Sequence, residues 1–349
     1  MVLNSLLLYH KLLETTIVQV FTNLNEFSKT ERGVVLTVGN FDGVHKGHQA
    51  IITQARQLAD AESLPLVAFT FDPPPLKFFR PDRILRTLTP LEMKISLLRR
   101  FKVDILLVVE PTEDFMNLSA QDYAKQIIVD AIGARHVVEG QTFSFGRHRS
   151  GTIVSLQRFG REFGYETHLV PACTISLDDT HSVAISSTLI RQQISTSRVD
   201  LAGPCLGRLY TLLGAVVRGR GQGRTLGFPT ANIQMHSSDQ LVPEDGVFAG
   251  YARFGDDLDQ AWASDKPYRA AVSIGRCETF PDSEWQIEAY LIDYPERGPS
   301  LLEKTILLSM VEKIRPQFRY DTPQALARAI EADCRDINKI LQRKGTRLL

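Results

Sequence analysis

The apolar positions in the first half of the chain alternate between short strand-like runs and helical stretches. The helix-like stretch from His48 to Glu62 places its apolar side chains on one helical face. Continuous apolar runs that fit buried strands stand on either side of such stretches, at Val34–Val38, Pro65–Phe71, Asp104–Val109 and His136–Gly140. This alternation predicts an α/β fold with a doubly wound parallel sheet, whose ligands lie at the carboxyl ends of the strands.

The pattern changes after about residue 199. Short strand-like runs, among them LGAVV, FPTANI, GVFAGYARF, YRAAVSIG and WQIEAYLIDY, follow one another with glycine, proline or charged turns between them. The lack of crossover helices predicts an antiparallel sheet or an antiparallel β-barrel. A closing helix is expected from Pro323, with Thr322 as its N-cap and Gly345 at its end. The boundary between the two folds is placed near Asp200–Gly207.

The bulk composition limits the classes of function. A chain of 349 residues favours two domains. Its 40 basic and 40 acidic side chains balance, which disfavours a nucleic-acid partner. The 4 cysteines form no C-x-x-C pair, so we expect a reduced, cytoplasmic protein without a disulfide framework or cysteine zinc site. The apolar run at residues 6–8 is too short for a membrane span, and residues 1–16 are interpreted as an extra helix or extension.

The string GNFDGVHKGH, at Gly39–His48, has the chemistry of a phosphate site. Its glycines allow tight turns, and His45 and His48 are about one helical turn apart at the start of a helix. A helix N-terminus favours anions, and two imidazoles can donate hydrogen bonds to a transferring phosphoryl group. A metal pair or a pair of surface histidines is the alternative.

A second segment, ISSTLIR, presents three hydroxyl residues where a helix begins, and an arginine one turn later. It can bind phosphate, although serine and threonine at such positions often serve only as helix caps.

The string RGRGQGRTLGFPTAN suggests a second phosphate-binding loop, because closely spaced glycines let backbone amides surround an anion. It is not a Walker A loop, and a solvated turn is the alternative. Thr230 and Asn232 lie two residues apart on a strand and therefore share one face, where their oxygens suit Mg²⁺.

In the run WQIEAYLIDY, Trp285, Ile287, Ala289 and Leu291 are expected on the buried face of a strand. Glu288 then points the other way and can act as a general base. An ordinary polar residue on the strand surface is the alternative.

Residues from about 17 to 200 resemble the HxGH nucleotidyltransferases, and in particular the flavin-adenylylating half of bacterial bifunctional riboflavin kinase/FAD synthetases. The resemblance rests on LTVGNFDGVHKGHQ, TFDPPP, LSAQDYAKQII, ARHVVEGQTFSFGRHRSG and ISSTLIR. It implies that His45 and His48 steady the α-phosphate of ATP during attack by the FMN phosphate. It also implies ATP contacts at Gly39, Asn40, Phe41, Asp42, Gly47, Ser186, Ser187, Thr188 and Arg191, and flavin contacts at Pro73, Phe143 and Phe145.

Residues from about 206 to 341 are similar to the riboflavin kinase module, through GRTLGFPTAN, GVF, AVSIG, IEAYLID and IRPQFRY. The resemblance implies that Thr230 and Asn232 bind MgATP and that Glu288 deprotonates the ribityl 5′-hydroxyl of riboflavin. Arg315 and the closing helix would border the flavin. The remaining ATP contacts implied for the loop are Gly219, Gly221, Gly223 and Arg224.

The expected enzyme phosphorylates riboflavin to FMN and adenylylates FMN to FAD, using ATP for each step and Mg²⁺. Its domains are residues 17–200, for adenylyl transfer, and 206–349, for the kinase. Its partners are small molecules, with no nucleic acid and no membrane, and its oligomeric state stays open.

Departures from the family patterns keep alternatives open. Relevant positions are Pro74, Thr142, Ser144 and Leu189 in the first half, and Ser273, Glu278 and Glu303 in the second. The main alternative is a riboflavin kinase whose N-terminal domain is impaired in adenylylation and only binds flavin or nucleotide. A non-enzymatic flavin sensor and a transferase that uses CTP or another acceptor are further alternatives.

Overall fold

The computed structural model describes residues 18–80, 82, 84–176, 182–279, 284–295 and 297–344. The chain divides into two compact units. One runs from the first described residue to Leu85 and resumes over Lys94–Ile185; the other comprises Arg86–Met93 and the chain from Ser186 onward. The predicted N-terminal extension and the predicted helix end at Gly345 lie outside the described residues.

A six-stranded parallel sheet forms the centre of the first unit, as the strand–helix alternation predicts. Its strand order is β1-β4-β3-β2-β5-β8. All five residues of β2 and of β4 are buried, because each strand is covered on both faces. The strands are β1 (Gln19–Phe21), β2 (Val34–Val38), β3 (Leu66–Phe71), β4 (Ile105–Val109), β5 (Ala134–Gly140) and β8 (Glu166–Val170).

Two short antiparallel pairs were not foreseen from the sequence. One joins β6 (Ser144–Phe145) to β7 (Gly151–Thr152), and the other joins β9 (Thr174–Ser176) to β10 (Ser182–Ala184). Pairs of two or three residues carry too little hydrophobic periodicity to be recognised in a sequence.

The helices before the barrel connect and cover the strands. They are α1 (Lys46–Glu62), α2 (Pro75–Phe79), α3 (Leu91–Arg100), α4 (Glu113–Met116), α5 (Ala120–Asp122), α6 (Ile153–Phe163), α7 (Ser187–Ser195) and α8 (Val199–Leu206), with a π-helical segment at Tyr123–Ala131 and 3₁₀ turns at Leu24–Glu26 and Arg147–Arg149.

A closed antiparallel barrel forms the centre of the second unit and confirms the prediction for the second half. The strand order is β11-β12-β15-β14-β13-β16. Two short helices, α9 (Gln222–Thr225) and α10 (Leu258–Ala263), interrupt the strand succession, but neither is a crossover. The strands are β11 (Tyr210–Val217), β12 (Thr230–Met235), β13 (Gly246–Gly255), β14 (Tyr268–Gly275), β15 (Gln286–Leu291) and β16 (Thr305–Arg315).

The closing helix α11 (Pro323–Lys344) begins at the predicted cap. The amide of Ala325 donates to the Thr322 hydroxyl at 3.1 Å, which satisfies one of the unpaired N–H groups of the first turn. Ile337 and Leu341 are buried among apolar residues of the barrel strands. This packing gives the helix the stable apolar contacts that its sequence pattern predicts.

None of the four cysteines, all of which lie in the described part of the chain, is joined in a disulfide. No helix in the part of the chain that the structure describes is both long and apolar enough to cross a membrane.

Candidate active sites

The first candidate site follows β2, where the chain turns into α1. Gly43 has φ of +82°, a conformation that glycine adopts without strain. A Cβ at Gly39 would stand 3.3 Å from the Phe41 ring, so little space for a larger residue exists there. The two glycines therefore allow the tight path of this loop at the carboxyl edge of the sheet.

His45 is the N-cap of α1, so the helix begins two residues before the predicted position. The backbone N–H of His48 donates to Nδ1 of His45 at 3.4 Å. Because Nδ1 accepts this bond, the neutral His45 ring carries its hydrogen on Nε2. The two imidazole rings stack with centroids 3.7 Å apart, and a Cβ at Gly47 would stand 3.1 Å from the His45 ring.

Burial lowers the pKa of His48 well below its ordinary value, and His45 and Lys94 lower it further. The ring is therefore neutral at pH 7 and acts as a hydrogen-bond donor without a full positive charge. Its Nδ1 atom is buried and has no hydrogen-bond partner among the described residues.

Lys94 is a residue of this site that the sequence patterns did not reveal. It is only 4% exposed, and its ammonium lies 3.5 Å from the Thr70 hydroxyl. Burial lowers the pKa of Lys94, while Asp42 and Asp72 partly offset this. A lysine in an amphipathic helix usually points to solvent, so no sequence signal marks this position.

The buried carboxyl group of Glu139 stabilises the start of the same loop. Glu139 accepts a hydrogen bond from the Val38 amide at 2.5 Å and is 2% exposed. Burial raises its pKa well above the ordinary value. Glu139 therefore holds the end of β2, directly before Gly39.

Of the residues implied for ATP, Asp42 and Phe41 are buried, whereas Asn40 is exposed and its carbonyl accepts a bond from Thr70 at 3.3 Å. Phe41 also contacts His48 edge to face, with ring centroids 5.4 Å apart. In this loop the side chains of Phe41 and Asp42 are therefore buried, and the backbone carbonyl of Asn40 is bound by Thr70.

The residues implied for flavin lie in two places in this unit. Pro73 is half-buried after the end of β3, and Pro74 caps α2. Phe143 and Phe145 stack with centroids 5.6 Å apart, but Phe145 is part of the core and only Phe143 is half-exposed. Phe143 is therefore the ring of this pair that a ligand can reach.

The segment Ser186–Arg191 opens a helix, as its sequence predicts. Ser186 is the N-cap of α7 and accepts from the Leu189 amide at 3.2 Å. Thr188 is exposed, and Nε of Arg191 donates to the Arg86 carbonyl at 3.1 Å. Ser186 and Ser187 belong to the second compact unit, whereas His45 belongs to the first, so their joint contact with one ATP stays a prediction.

The second candidate site lies on adjacent strands of the barrel. Asn232 and Glu288 are direct partners of β12 and β15, and the Thr230 hydroxyl donates to Oε1 of Glu288 at 3.1 Å. Burial raises the pKa of Glu288, although hydrogen bonds from Thr230, Asn232 and Gln286 act in the opposite direction. The arrangement is a half-buried carboxylate held in place by neighbouring hydroxyl and amide groups.

Two glycines of the preceding loop are sterically required. A Cβ at Gly219 would stand 2.0 Å from Nδ2 of Asn232, and one at Gly223 would stand 2.4 Å from the Phe228 carbonyl. Gly221 has φ of +74° and precedes α9, which contains Arg224. The loop backbone therefore comes close to Asn232, and larger residues would displace it.

A cavity of about 990 Å³ lies beside this loop within the second unit. Gly219, Asn232 and Gln286 contribute to its wall, together with the cationic side chains of Arg218 and Arg220. Its volume suits a nucleotide-sized ligand, and its cations suit phosphate.

The position of Trp285 corrects one expectation. The strand β15 begins at Gln286, and Trp285 is 49% exposed, with its indole N–H donating to Asp245 at 2.9 Å. The rest of the predicted alternation is confirmed, because the burial of β15 alternates and leaves Glu288 on the half-exposed face.

Arg315 is fixed at the end of β16. It forms a two-pronged ion pair with Asp333 of α11, with Nε–Oδ1 at 3.0 Å and Nη2–Oδ2 at 2.8 Å. Its guanidinium lies 5.7 Å from the Phe318 ring centroid and 5.8 Å from that of Tyr320. The aromatic rings make this corner a suitable border for a flat ligand.

The set of Thr230 and Asn232 fits a magnesium ion, because both side chains offer an oxygen atom and the two residues lie two apart on β12. No nitrogen or sulfur ligand of the kind that selects a softer metal is part of this set.

Residues 27–189 match the family model described as FAD synthetase, and residues 206–341 match the model described as riboflavin kinase. A bifunctional riboflavin kinase/FMN adenylyltransferase from Escherichia coli (strain K12) is 32% identical over 304 residues, or 87% of this chain and 91% of that protein. A protein with the same name from Listeria monocytogenes serovar 1/2a is 33% identical over 309 residues, or 88% and 92%.

The fold is also similar to a solved structure of a protein named macrolide-efflux protein, from Streptococcus pneumoniae. The TM-score is 0.77 and the sequence identity 28%, and the similarity covers 92% of this chain and 99% of the other. The two chains share their architecture over nearly their whole lengths.

Proposed function

The chain belongs to the family of bifunctional riboflavin kinase/FMN adenylyltransferases, and we propose which of its residues carry out the two reactions. The enzyme phosphorylates riboflavin to FMN with ATP and adenylylates FMN to FAD with a second ATP. Because the matches include both halves, the interpretation as a kinase without adenylylation is not favoured. We propose the predicted domain limits, 17–200 and 206–349, as the limits of the two activities.

Glu288 is the proposed general base of the kinase reaction. The observation that carries this assignment is the contact of its carboxylate with Thr230, opposite Asn232, beside a loop in which a Cβ at Gly219 would stand 2.0 Å from Nδ2 of Asn232. A carboxylate with a raised pKa is a better proton acceptor for the ribityl 5′-hydroxyl than an ordinary exposed one. The proton moves from that hydroxyl to Glu288 as the oxygen attacks the γ-phosphorus of ATP, and the bond from this phosphorus to the β,γ-bridging oxygen breaks to release ADP.

Thr230 and Asn232 are the proposed holders of Mg²⁺, which would supply positive charge at the ATP phosphates. Gly219, Gly221, Gly223 and Arg224 form the loop proposed to bind those phosphates, through backbone amides and the guanidinium. The cationic wall of the adjacent cavity supports this assignment.

For adenylylation, His45 and His48 are proposed to contact the α-phosphate, together with the first free N–H groups of α1. The two rings are stacked and held by the His45 cap, and His45 is buried, so little reorganisation is needed when the FMN phosphate attacks. The ATP contacts implied for Gly39, Asn40, Phe41, Asp42, Gly47, Ser186, Ser187, Thr188 and Arg191 are proposed with them. Lys94 is a proposed positioning residue, because its side chain is buried beside Thr70 and its charge acts on both Asp42 and His48.

Flavin contacts are proposed for Pro73, Phe143 and Phe145 in the adenylylation half, and for Arg315 in the kinase half. The half-exposed Phe143 ring and the aromatic surroundings of Arg315 support flat-ring binding. Phe145 would act through Phe143, on which it stacks.

One experiment tests whether the two reactions use separate sites. Purified protein is incubated with riboflavin, ATP and Mg²⁺, and riboflavin, FMN and FAD are separated by chromatography. We expect Glu288→Ala to abolish FMN formation but to convert supplied FMN to FAD, and His48→Ala to do the reverse. Loss of both steps in either folded variant would contradict separate sites. FMN without FAD in the unaltered enzyme would support the kinase-only alternative.

We further propose a cytoplasmic location, supported by four cysteines that are not joined in disulfides, as is common in a reducing compartment. Small-molecule substrates are the partners that the family implies. We propose that no nucleic acid binds, since the net charge is +0.

A further inference from the structure

A cluster of two histidines and one glutamate lies at the edge of the parallel sheet. In the register of β5 and β8, His136 pairs with Glu166, and His168 lies two residues further along β8. Residues two apart on a strand share a face, so all three side chains stand on one face of the sheet.

The cluster is remote from the adenylylation site. His136 is level with Val35 of β2, four residues before Gly39, which corresponds to about 13 Å along the strand direction. His168 is the middle residue of β8 and pairs with Val138, so the cluster extends from the start to the middle of the edge strand, whereas the histidines of the loop follow the carboxyl end of β2. Neither proposed reaction uses these residues.

The distances between the three side chains are close to those of a tetrahedral metal site. His136 Nδ1 lies 3.1 Å from His168 Nε2, and Glu166 Oε2 lies 3.7 Å and 3.8 Å from these nitrogens. Ligands bound at the usual lengths for zinc in tetrahedral geometry are about 3.3 Å apart. The ion would require only small shifts of side chains, mostly of the exposed glutamate.

The burial of His136 and the contacts of its Nδ1 atom also favour a metal site. The side chain is 8% exposed, whereas those of His168 and Glu166 are 28% and 73% exposed. The Nδ1 atom of His136 faces His168 and Glu166, whereas its Nε2 atom is buried and has no hydrogen-bond partner among the described residues. A direct histidine–histidine hydrogen bond explains one of the three short distances, but not the convergence of the carboxylate on both nitrogens.

We propose that His136, Glu166 and His168 bind a divalent transition-metal ion of the zinc type, with a solvent molecule in the fourth position. Two imidazoles and one carboxylate suit Zn²⁺, whereas Mg²⁺ prefers an all-oxygen set. The ion would connect the edge strand β8 to β5. Since binding to the folded state alone raises stability, the metal is expected to raise the melting temperature.

Cobalt(II) is a suitable probe, because a four-coordinate Co²⁺ ion absorbs visible light far more strongly than the hydrated ion. The full-length enzyme, without an affinity tag and stripped of metal, is titrated with Co²⁺ and then with Zn²⁺. We expect one equivalent of Co²⁺ to produce the visible band, Zn²⁺ to abolish it, and each metal to raise the melting temperature.

Two variants test the proposed ligands, and a third serves as the control. His168→Gln and the conservative Glu166→Gln should weaken Co²⁺ binding about tenfold or more and remove the rise in melting temperature. His148→Gln, at an exposed histidine outside the cluster, should leave both unchanged. FAD formation from supplied FMN serves as the check that each variant is folded, because the adenylylation loop and the cluster belong to the same compact unit and neither proposed reaction uses the cluster.

Absence of a tetrahedral band in the unaltered enzyme would overturn the proposal. The same holds for a band that persists unchanged in His168→Gln, which would place the ion elsewhere. These outcomes are independent of both flavin reactions, so the metal site and the proposed function are tested separately.

Discussion

Replacement of Glu288 by glutamine is the sharpest test of the kinase mechanism. The amide has nearly the same volume and keeps an oxygen that can accept the 3.1 Å hydrogen bond of Thr230. It cannot accept a proton from the substrate hydroxyl. The substitution therefore removes the proposed base and leaves the packing of β12 and β15 in place.

The expected loss of kcat for FMN formation is about 10²–10⁴-fold, the usual contribution of a general base. This corresponds to about 3–5 kcal/mol of transition-state stabilisation. Thr230 and Asn232 remain to bind MgATP, so the KM for ATP should change little.

The pH dependence follows from the direction of the pKa shift. Burial raises the pKa of Glu288 above its ordinary value of 4.5, so FMN formation in the unaltered enzyme should fall as the pH decreases through that raised pKa. The residual activity of the glutamine variant should lack this acid limb.

The same shift makes a prediction about stability. Well below pH 4.5 the carboxyl is neutral in both the folded and the unfolded states. As the pH rises from 4.5 through the raised pKa, the unfolded chain loses the proton first, so the unaltered protein loses stability relative to the glutamine variant. We expect Glu288→Gln to melt at an equal or higher temperature at pH 8, with the difference disappearing below pH 4.5.

FMN formation from riboflavin and FAD formation from supplied FMN are measured on the same preparation by chromatography. Glu331→Gln, at an exposed position of α11, is the matched control and should behave as the unaltered enzyme. If Glu288→Gln keeps FMN formation within about tenfold, Glu288 is not the base.

Three further variants test the loops and the buried lysine. His48→Ala should lower FAD formation about 10²–10³-fold, as expected for a lost donor, and leave FMN formation unchanged in the same assay; equal loss of both would contradict the assignment. Gly219→Ala should raise the KM for ATP in FMN formation but not in FAD formation, because the new Cβ would stand 2.0 Å from Nδ2 of Asn232; an unchanged KM would contradict the loop's role. Lys94→Met should lower FAD formation yet raise the melting temperature at pH 7, since burial has lowered the pKa of Lys94 and its charge opposes folding there. A lower melting temperature would mean that Lys94 stabilises the fold instead.

Much of the architecture could be predicted from local patterns. The apolar run Val34–Val38 is a strand with every residue buried, and the alternation of Gln286–Leu291 places Glu288 on the half-exposed face. These features depend on residues two or three to four positions apart, so a short window of sequence contains the whole signal. The phosphate loops were recognisable for the same reason, because their glycines and histidines are close in sequence.

Contacts between distant segments were not predictable in this way. Thr230 and Glu288 are 58 residues apart, and only the register of β12 on β15 brings the hydroxyl to the carboxylate. Lys94 occupies an ordinary position in an amphipathic helix, and only packing buries it beside the adenylylation loop.

Trp285 and the cluster of His136, Glu166 and His168 show two features that local sequence patterns did not predict. The alternating sequence pattern predicted that Trp285 is buried, but the strand begins one residue later and about half of the Trp285 side chain is exposed to solvent. Nothing in the sequence links His136 to His168, which the parallel pairing of β5 with β8 places 3.1 Å apart. The sequence alone determined the strands, helices and loop chemistry, because neighbouring residues encode them. Tertiary structure decided burial, partners and pKa shifts, because these depend on which distant segments pack together.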